Sequence, residues 1–316
     1  YETEGKKIIG YGMNPFAFGS FDCDEQKYLP SIYAVDYLEK LIKSCIEDGI
    51  QLLIPGLDDE LLLLAKNIEL FNAAGIIVPV SSVEVIEYCR DKELMSRELS
   101  KYADVFVNSY TKFQIDKMEV RQSLRFPLIA KPISGFASRG IFIIHGEEDF
   151  AKVTNDHVVQ EIASPNSKDP HHDDFFNALS KGEVAQVGEL SLQVVIGIDG
   201  VELGRFASYN KLHNGVPIEV IPAHVPEAWL AIDKLLPVLH EKGLYGPINF
   251  QGRMTDKGLK IFEMNARFTG ITGLRAMMGF NEVEAIIADA FGILPQGVCL
   301  PSEVRKIGIR QVKNRV

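Results

Sequence analysis

Residues Leu259 to Gly270 read LKIFEMNARFTG, an apolar run into which Glu263, Asn265 and Arg267 are set at alternate positions. In a strand, successive side chains point to opposite faces, so these three share one. Burying a carboxylate, an amide and a guanidinium side by side is costly unless something pairs with them. The preceding residues, GPINFQGRMTDKG (Gly246 to Gly258), complete a hairpin turning near Lys257-Gly258. A three-residue loop from Asp256 to Gly258 places Gln251 opposite Glu263 and Asn249 opposite Asn265. A bulge at Gly258 would shift that register by one. One patch then holds a carboxylate and three amide oxygens, bordered by Arg267. Hard oxygen donors of this kind suit magnesium, which takes a few protein oxygens together with phosphates. The arginine suits the same phosphates in a bidentate grip. A buried amide–carboxylate network without any ligand is the competing reading.

Upstream, FPLIAKPISGFASRG (Phe126 to Gly140) ends an apolar strand at Lys131 and continues into small residues, Ser134, Gly135, Ser138 and Gly140. Such a loop can fold over phosphates with its N–H groups and hydroxyls, or simply connect a hairpin. It lacks the Gly-Lys-Ser/Thr order of a P-loop and opens no helix, which disfavours that class of NTPase. Further strands, GIFIIH, HVVQEIA and the hairpin LSLQVVIGIDGVELGRFASY turning at Asp199-Gly200, mark an antiparallel region, with helical patterns over Pro226–Lys242 and Asn281–Phe291. The first ninety residues differ. KKIIGYG, IQLLIPG and GIIVPV read as strands alternating with helices, one carrying Val35, Leu38, Leu41, Ile42 and Cys45 on a stripe, one over Asp58–Asn72, and one capped by Ser82. The fold class is therefore α/β followed by α+β, with domains over 1–90 and 91–316.

The chain has 316 residues, 46% hydrophobic and 24% charged, enough for two or three packed layers. A net charge of -10 argues against a general nucleic-acid or anionic-membrane surface. Four scattered cysteines without a C-x-x-C pair suit reduced thiols in the cytoplasm better than a disulfide framework or zinc site. No run approaches the ~20 apolar residues of a membrane helix. No secretory signal is visible, but the chain opens on Tyr1, which leaves what precedes it open.

Together the motifs resemble the ATP-grasp superfamily, in particular the carboxylate–amine ligases related to the carbamoyl-phosphate synthase large subunit. GKKIIGYGMNPFAFG, IQLLIPGLDDELLLLAKN, CRDKELM, FPLIAKP with its loop, VVQEIA, GELSLQVV and INFQGRM…LKIFEMNARF follow the family order across nearly the whole chain. The most specific is the Glu-x-Asn-x-Arg strand beside a glutamine. The resemblance implies an ATP-grasp fold behind a Rossmann-like pre-ATP-grasp domain, with a lid subdomain over about 126–190 and a C-terminal subdomain over about 191–316. It implies an enzyme that uses ATP and Mg2+, with Mn2+ as a substitute, to join a small carboxylate, such as an amino acid, to an amine through an acyl phosphate.

Residue by residue, the resemblance places Lys92 and Lys131 on ATP phosphates, with Ser138 and Gly140 in the loop closing over them. Gln160 faces the adenine amino group, with backbone groups of Glu161 and Ala163 along the same edge, and Glu189 takes the ribose. Gln251, Glu263 and Asn265 hold the metal. Arg267 steadies the transferred phosphoryl group, with Lys211 a weaker candidate on the γ-phosphate side. The expected partners are small molecules, with no nucleic acid and no membrane, and a homodimer is common among relatives.

Three departures stand out. The family's first strand and glycine-rich turn are missing ahead of the opening segment, so the N-terminal domain is expected to be truncated. Ser164 to Gly188 intervene where relatives pass from the adenine hinge to the ribose glutamate in a handful of residues. Phe136 and Arg139 stand in the loop where small residues are usual. The run DPHHDDFF within the insertion invites a metal reading at His171, His172, Asp173 and Asp174, but neighbours in sequence seldom converge on one ion, and a polar loop explains them as well. Competing functions are phosphorylation of bicarbonate or carbamate on the carbamoyl-phosphate synthase pattern, and a non-catalytic ATP-binding protein. A dehydrogenase is disfavoured because no G-x-G-x-x-G turn is visible.

Overall fold

The computed structural model describes residues 7–14, 16–133, 140–213, 216–293 and 307–310. The chain divides between Val78 and Pro79 into two compact units, the second running to Arg310. That division falls earlier than residue 90.

In the first unit β1 (Ile9–Gly12) pairs in parallel with β2 (Glu25–Tyr28). Then come α1 (Tyr37–Glu47), α2 (Asp58–Lys66) and α3 (Ile68–Ala73). Leu41 and Cys45 of the expected stripe are buried in α1, whereas Val35 is fully exposed. Gly49 ends the helix region at φ +64, a conformation glycine takes without steric cost. The helix expected from Asp58 to Asn72 breaks at Asn67 into α2 and α3. The runs IQLLIPG and GIIVPV meet through a single parallel bridge, Leu52 with Ile77. Pro55 and Pro79 lack the N–H groups that would lengthen that ladder.

The second unit opens with α4 (Val83–Arg90), where Ser82 Oγ accepts from Val85 N as its expected cap. Next come α5 (Lys92–Leu99), β3 (Ser109–Thr111), α6 (Lys112–Ile115), α7 (Met118–Ser123), β4 (Leu128–Pro132), β5 (Phe142–Ile144), β6 (His157–Glu161) and α8 (His172–Ser180). The chain continues through β7 (Glu189–Ile196), β8 (Glu202–His213), β9 (Val216–Pro222), α9 (Pro226–Glu241), β10 (Gly246–Thr255), β11 (Gly258–Asn265), α10 (Thr272–Met277), α11 (Glu282–Ala290) and β12 (Gly308–Ile309). These strands form a small sheet, β3-β6-β4-β5, and a large one, β11-β10-β7-β8-β9-β12. Among the described residues no helix is long and apolar enough to cross a membrane.

One face of the large sheet is apolar. Leu190, Leu192, Val194, Ile248, Phe250, Ile261 and Met264 pack there against Ile232, Leu235 and Leu239 of α9 and against Met95 and Leu99 of α5. The alternate residues of β7 and β10 consequently point to the opposite face.

The β10–β11 hairpin reaches the expected register by an unexpected route. Gln251 pairs with Glu263 and Asn249 with Asn265, but Thr255 pairs with Gly258, so the turn has two residues, Asp256 and Lys257. Phe262 is the extra residue, bulged out where Gln251 and Gly252 face Glu263 and Ile261. The bulge reconciles two demands. Leu259, Ile261, Glu263 and Asn265 would all share a face of a regular strand. Instead Leu259, Ile261 and Met264 enter the core, while Phe262 packs away from it with Val107 and Ala163.

The inserted Ser164–Gly188 segment, whose DPHHDDFF run reads as a polar loop, contains α8. Phe175 and Leu179, one helical turn apart, pack with Ile143 of β5 and with Ile129, Ile162, Val184 and Val187.

Candidate active site

The polar face of the large sheet carries Glu189, Ser191 and Gln193 from β7 and Asn249, Gln251 and Arg253 from β10. Beside them, from β11, stand Glu263 and Asn265. Cross-strand pairing sets them in rows: Asn265, Asn249 and Gln193 in one, and Glu263, Gln251 and Ser191 in the next. Asn249 Nδ2 donates to Ser191 Oγ at 2.8 Å. Asn249 Oδ1 and both amide atoms of the fully buried Gln193 find no partner among the described residues.

Cations approach this face from two directions. Asp91 caps α5 by accepting from Glu93 N and Leu94 N, which fixes Lys92 as the first helical residue. Its side chain is 9% exposed and its Nζ lies 3.8 Å from Glu263 Oε2. Lys131, at the end of β4, holds its Nζ 4.5 Å from the centre of the Phe262 ring. The bulge therefore helps seat the second cation beside the carboxylate.

Burial alone would raise the Glu263 carboxyl. Lys92, Lys131, a hydrogen bond from Asn265 and the Arg267 guanidinium outweigh it and hold the group below the ordinary carboxylate range. Its side chain stays 31% exposed, so it is crowded by protein yet open to a ligand. Burial pushes the Lys131 ammonium down to about 8 against the attraction of Glu263. It raises Glu189 to about 7, with Arg253 pulling the other way. A cluster of mutually dependent, buried charges is a common mark of a functional site.

On the small sheet Gln160 is fully buried. Its Nε2 donates to Ser109 Oγ at 3.0 Å and to the carbonyl of the bulged Phe262 at 3.3 Å, while its Oε1 has no partner among the described residues. Glu161 N is taken up by Asn108 O, and Ala163 O accepts from Arg253.

A family model described as PylC-like, N-terminal domain, matches residues 1–79. No curated protein matches the sequence. Solved structures of similar shape include biotin carboxylase of Campylobacter jejuni in a β,γ-ATP complex. It has a TM-score of 0.68 and 14% identity over 93% of this chain and 67% of that one. N5-carboxyaminoimidazole synthetase from Staphylococcus aureus, complexed with ADP, gives 0.66 and 16% over 96% and 73%. The biotin carboxylase domain dimer of Hydrogenobacter thermophilus 2-oxoglutarate carboxylase, with MgADP and bicarbonate, gives 0.62 and 20% over 93% and 66%. This is the ATP-grasp fold. The chain spans about two thirds of the length of these carboxylase chains.

Within the ATP-grasp fold the expected residues divide into groups. Lys92, Lys131, Glu263 and Asn265 interact with one another, Gln251 faces Glu263 across the hairpin, and Glu189 lies within their electrostatic reach. Gln160 and Ala163 are joined to the same region through Phe262 and Arg253. Arg267 follows β11 and donates to Phe268 O at 3.1 Å. Gly140 is exposed at φ +71, while Ser138 lies outside the described residues. Lys211 pairs with Glu219 of β9 beside a register shift, and among the described residues no hydrogen bond or ion pair joins it to this group.

Among the described residues no three His, Cys, Asp or Glu side chains converge as a metal site. His172 Nδ1 instead lies 3.2 Å from the carbonyls of Pro165 and Asn166.

Arg253, Ser191 and Gln193 are the side chains that the motif reading missed. The signal was parity. Arg253 shares it with Gln251, and Ser191 and Gln193 share it with Glu189, so each had to point to the same face.

Proposed function

We propose that the protein is an ADP-forming, ATP- and Mg2+-dependent ligase that joins a small carboxylic acid, such as an amino acid, to an amine. The carrying observation is Glu263, held ionised, opposite Gln251, beside Asn265 and flanked by Lys92 and Lys131. The ADP, MgADP and β,γ-ATP complexes of similarly folded carboxylases and synthetases support it.

Gln251, Glu263 and Asn265 fit a hard divalent cation by their chemistry: one charged carboxylate and two amide oxygens, with phosphates left to complete the shell. Mg2+, or Mn2+ in its place, would shield the polyphosphate and polarise it as a Lewis acid. Lys92 and Lys131 neutralise phosphate charge, with Ser138 and Gly140 in the loop above. Gln160 Oε1 accepts from the adenine amino group, the main chain of Glu161 and Ala163 lines the same edge, and Glu189 takes a ribose hydroxyl. Arg267 steadies the incoming carboxylate and the transferred phosphoryl group. Lys211 stays outside the mechanism.

The carboxylate oxygen attacks the γ-phosphorus, the β–γ bridging P–O bond breaks and ADP leaves with the electron pair. The amine then attacks the acyl carbon, a C–N bond forms and phosphate departs, with one proton lost from nitrogen. The protein contributes position and charge more than covalent help. A second reading, bicarbonate as the acid, is favoured by the bicarbonate in the 2-oxoglutarate carboxylase structure. A homodimer is proposed from the dimer in that structure, and a cytoplasmic location from the scattered cysteines.

The test is ADP release across acid–amine pairs and bicarbonate, with hydroxylamine as a trap for the acyl phosphate. Wild type is expected to release ADP with one of them, and Glu263→Gln to lose at least roughly a hundredfold of that rate. ATP binding with no ADP from any pair or from bicarbonate would leave a non-catalytic nucleotide binder.

A further inference from the structure

Arg253 is almost completely buried, at 8% exposure, and among the described residues none of its hydrogen bonds goes to a carboxylate. Its Nε donates to Val187 O at 3.1 Å, Nη2 to Ala185 O at 3.1 Å and Nη1 to Ala163 O at 3.3 Å. The guanidinium lies over the rings of Phe175 at 4.9 Å and Phe262 at 5.4 Å. Taking a guanidinium out of water is expensive, and burial lowers its proton affinity although Glu189 and Asp169 work against that. Three charge-assisted bonds to main-chain carbonyls offset the cost and give the side chain a single geometry.

The positions of those carbonyls decide the matter. Ala163 is where the chain leaves β6, and Ala185 and Val187 are where it returns to Glu189. Arg253 therefore closes the neck of the 164–188 segment from below. The rest of the segment is tied to both sheets. Asn166 N donates to Met254 O at 2.9 Å, and Ser167 N donates to Asp256 Oδ1 at 3.1 Å, at the end of the large-sheet hairpin. Phe175 and Leu179 pack on Ile129 and Ile143 of the small sheet. A passive surface insertion needs neither a buried arginine at its base nor anchors on two sheets.

We propose that Arg253 is a positioning residue for the adenosine half of the nucleotide, and that the 164–188 segment is the strap it holds. By fixing both ends of the strap it sets the spacing between the Ala163 main chain and the Glu189 carboxyl without touching the ligand. This inference rests on the nucleotide-binding reading above. It differs in what it predicts for the two halves of ATP, because the phosphate side is built from Lys92, Lys131, Gln251, Glu263 and Asn265, none of which is hydrogen-bonded to Arg253 among the described residues.

The test compares the wild-type chain with Arg253→Met, Arg253→Lys and Phe175→Ala by calorimetric binding of MgADP and of magnesium tripolyphosphate, with hydrogen exchange across 163–188. Arg253→Met is expected to weaken MgADP roughly tenfold or more, weaken tripolyphosphate far less and speed exchange within the strap. Arg253→Lys, which keeps the charge but loses the three-way fork, is expected to fall between Met and wild type. Phe175→Ala, which removes the ring beneath the guanidinium, is expected to show the same selectivity more weakly, and it carries the test if Arg253→Met does not fold. Unchanged MgADP affinity in Arg253→Met, or equal weakening of both ligands in either variant, would overturn the inference. Wild type binding neither ligand would overturn the nucleotide reading itself.

Discussion

Glu189 and Lys131 are poised in opposite senses. Burial raises the Glu189 carboxyl from an ordinary value of 4.5 to about 7. The folded protein thus holds a proton that the unfolded chain releases between those values. Its contribution to stability is complete below about pH 4.5 and is lost as pH rises through 7. Lys131 is lowered from 10.5 to about 8, so its charged form is a cost below pH 8 that fades as pH rises toward 10.5. Both groups are least comfortable near pH 7 to 8, where both carry charge against the cost of burial. Wild type should therefore lose stability between pH 4.5 and 7 relative to Glu189→Gln, as followed by urea midpoints across that range. Parallel midpoints for the two proteins would show that the Glu189 carboxyl titrates normally. Residues such as Glu263 and Asn265 were legible because charged groups at alternate positions in an apolar strand demand a reason. Arg253 was not, because an arginine three residues before a hairpin turn reads as a solvated side chain until its parity with Gln251 is weighed.

The bulge at Phe262 belongs to the next scale up. A Cβ added at Gly252 would meet Lys260 O at 2.5 Å, a backbone atom that cannot swing aside. Gly252→Ala should cost about 1–3 kcal/mol in urea unfolding and weaken magnesium-dependent ADP binding together, because Glu263 stands opposite the adjoining residue. Stability lost with binding intact would mean the hairpin relaxes without moving the carboxylate. The sequence foretold this hairpin and its register from alternation and turn residues, yet it mistook the turn. Two apolar residues, Leu259 and Ile261, share parity with Glu263 and Asn265, and that conflict was the available sign of an extra residue. Helix α8 was missed for a different reason. Its start, HHDD from the cap His171 to Asp174, looks like loop, and its buried apolar residues Phe175 and Leu179 pack on Ile129 and Ile143, far away in sequence. Local propensity is a weak guide when tertiary packing decides.

At the level of the molecule, each unit has a core of its own. Leu41, Leu61, Leu64 and Phe71 are buried in the first, and the sheet–helix layers around Leu192, Phe250 and Leu235 in the second. The order of motifs made the second unit readable because its chemistry is concentrated in strands of fixed parity. The first was read less well, since its strands are short, one of them is the charged EQKY of β2, and prolines interrupt the runs IQLLIPG and GIIVPV. Two cores make a single unfolding transition an unsafe assumption. All the described candidate site residues lie beyond Val78, so a nucleotide should stabilise the second unit in particular. At a hundredfold excess over its dissociation constant MgADP should add about 2.7 kcal/mol to that unit. Scanning calorimetry of the full chain should show one transition moving upward with MgADP while another stays in place. Hydrogen exchange should slow in peptides from 79–310 and remain unchanged in those from 7–78. A single transition that moves as a whole, with protection spread over both sets of peptides, would show instead that the units unfold as one and that the small unit feels the nucleotide.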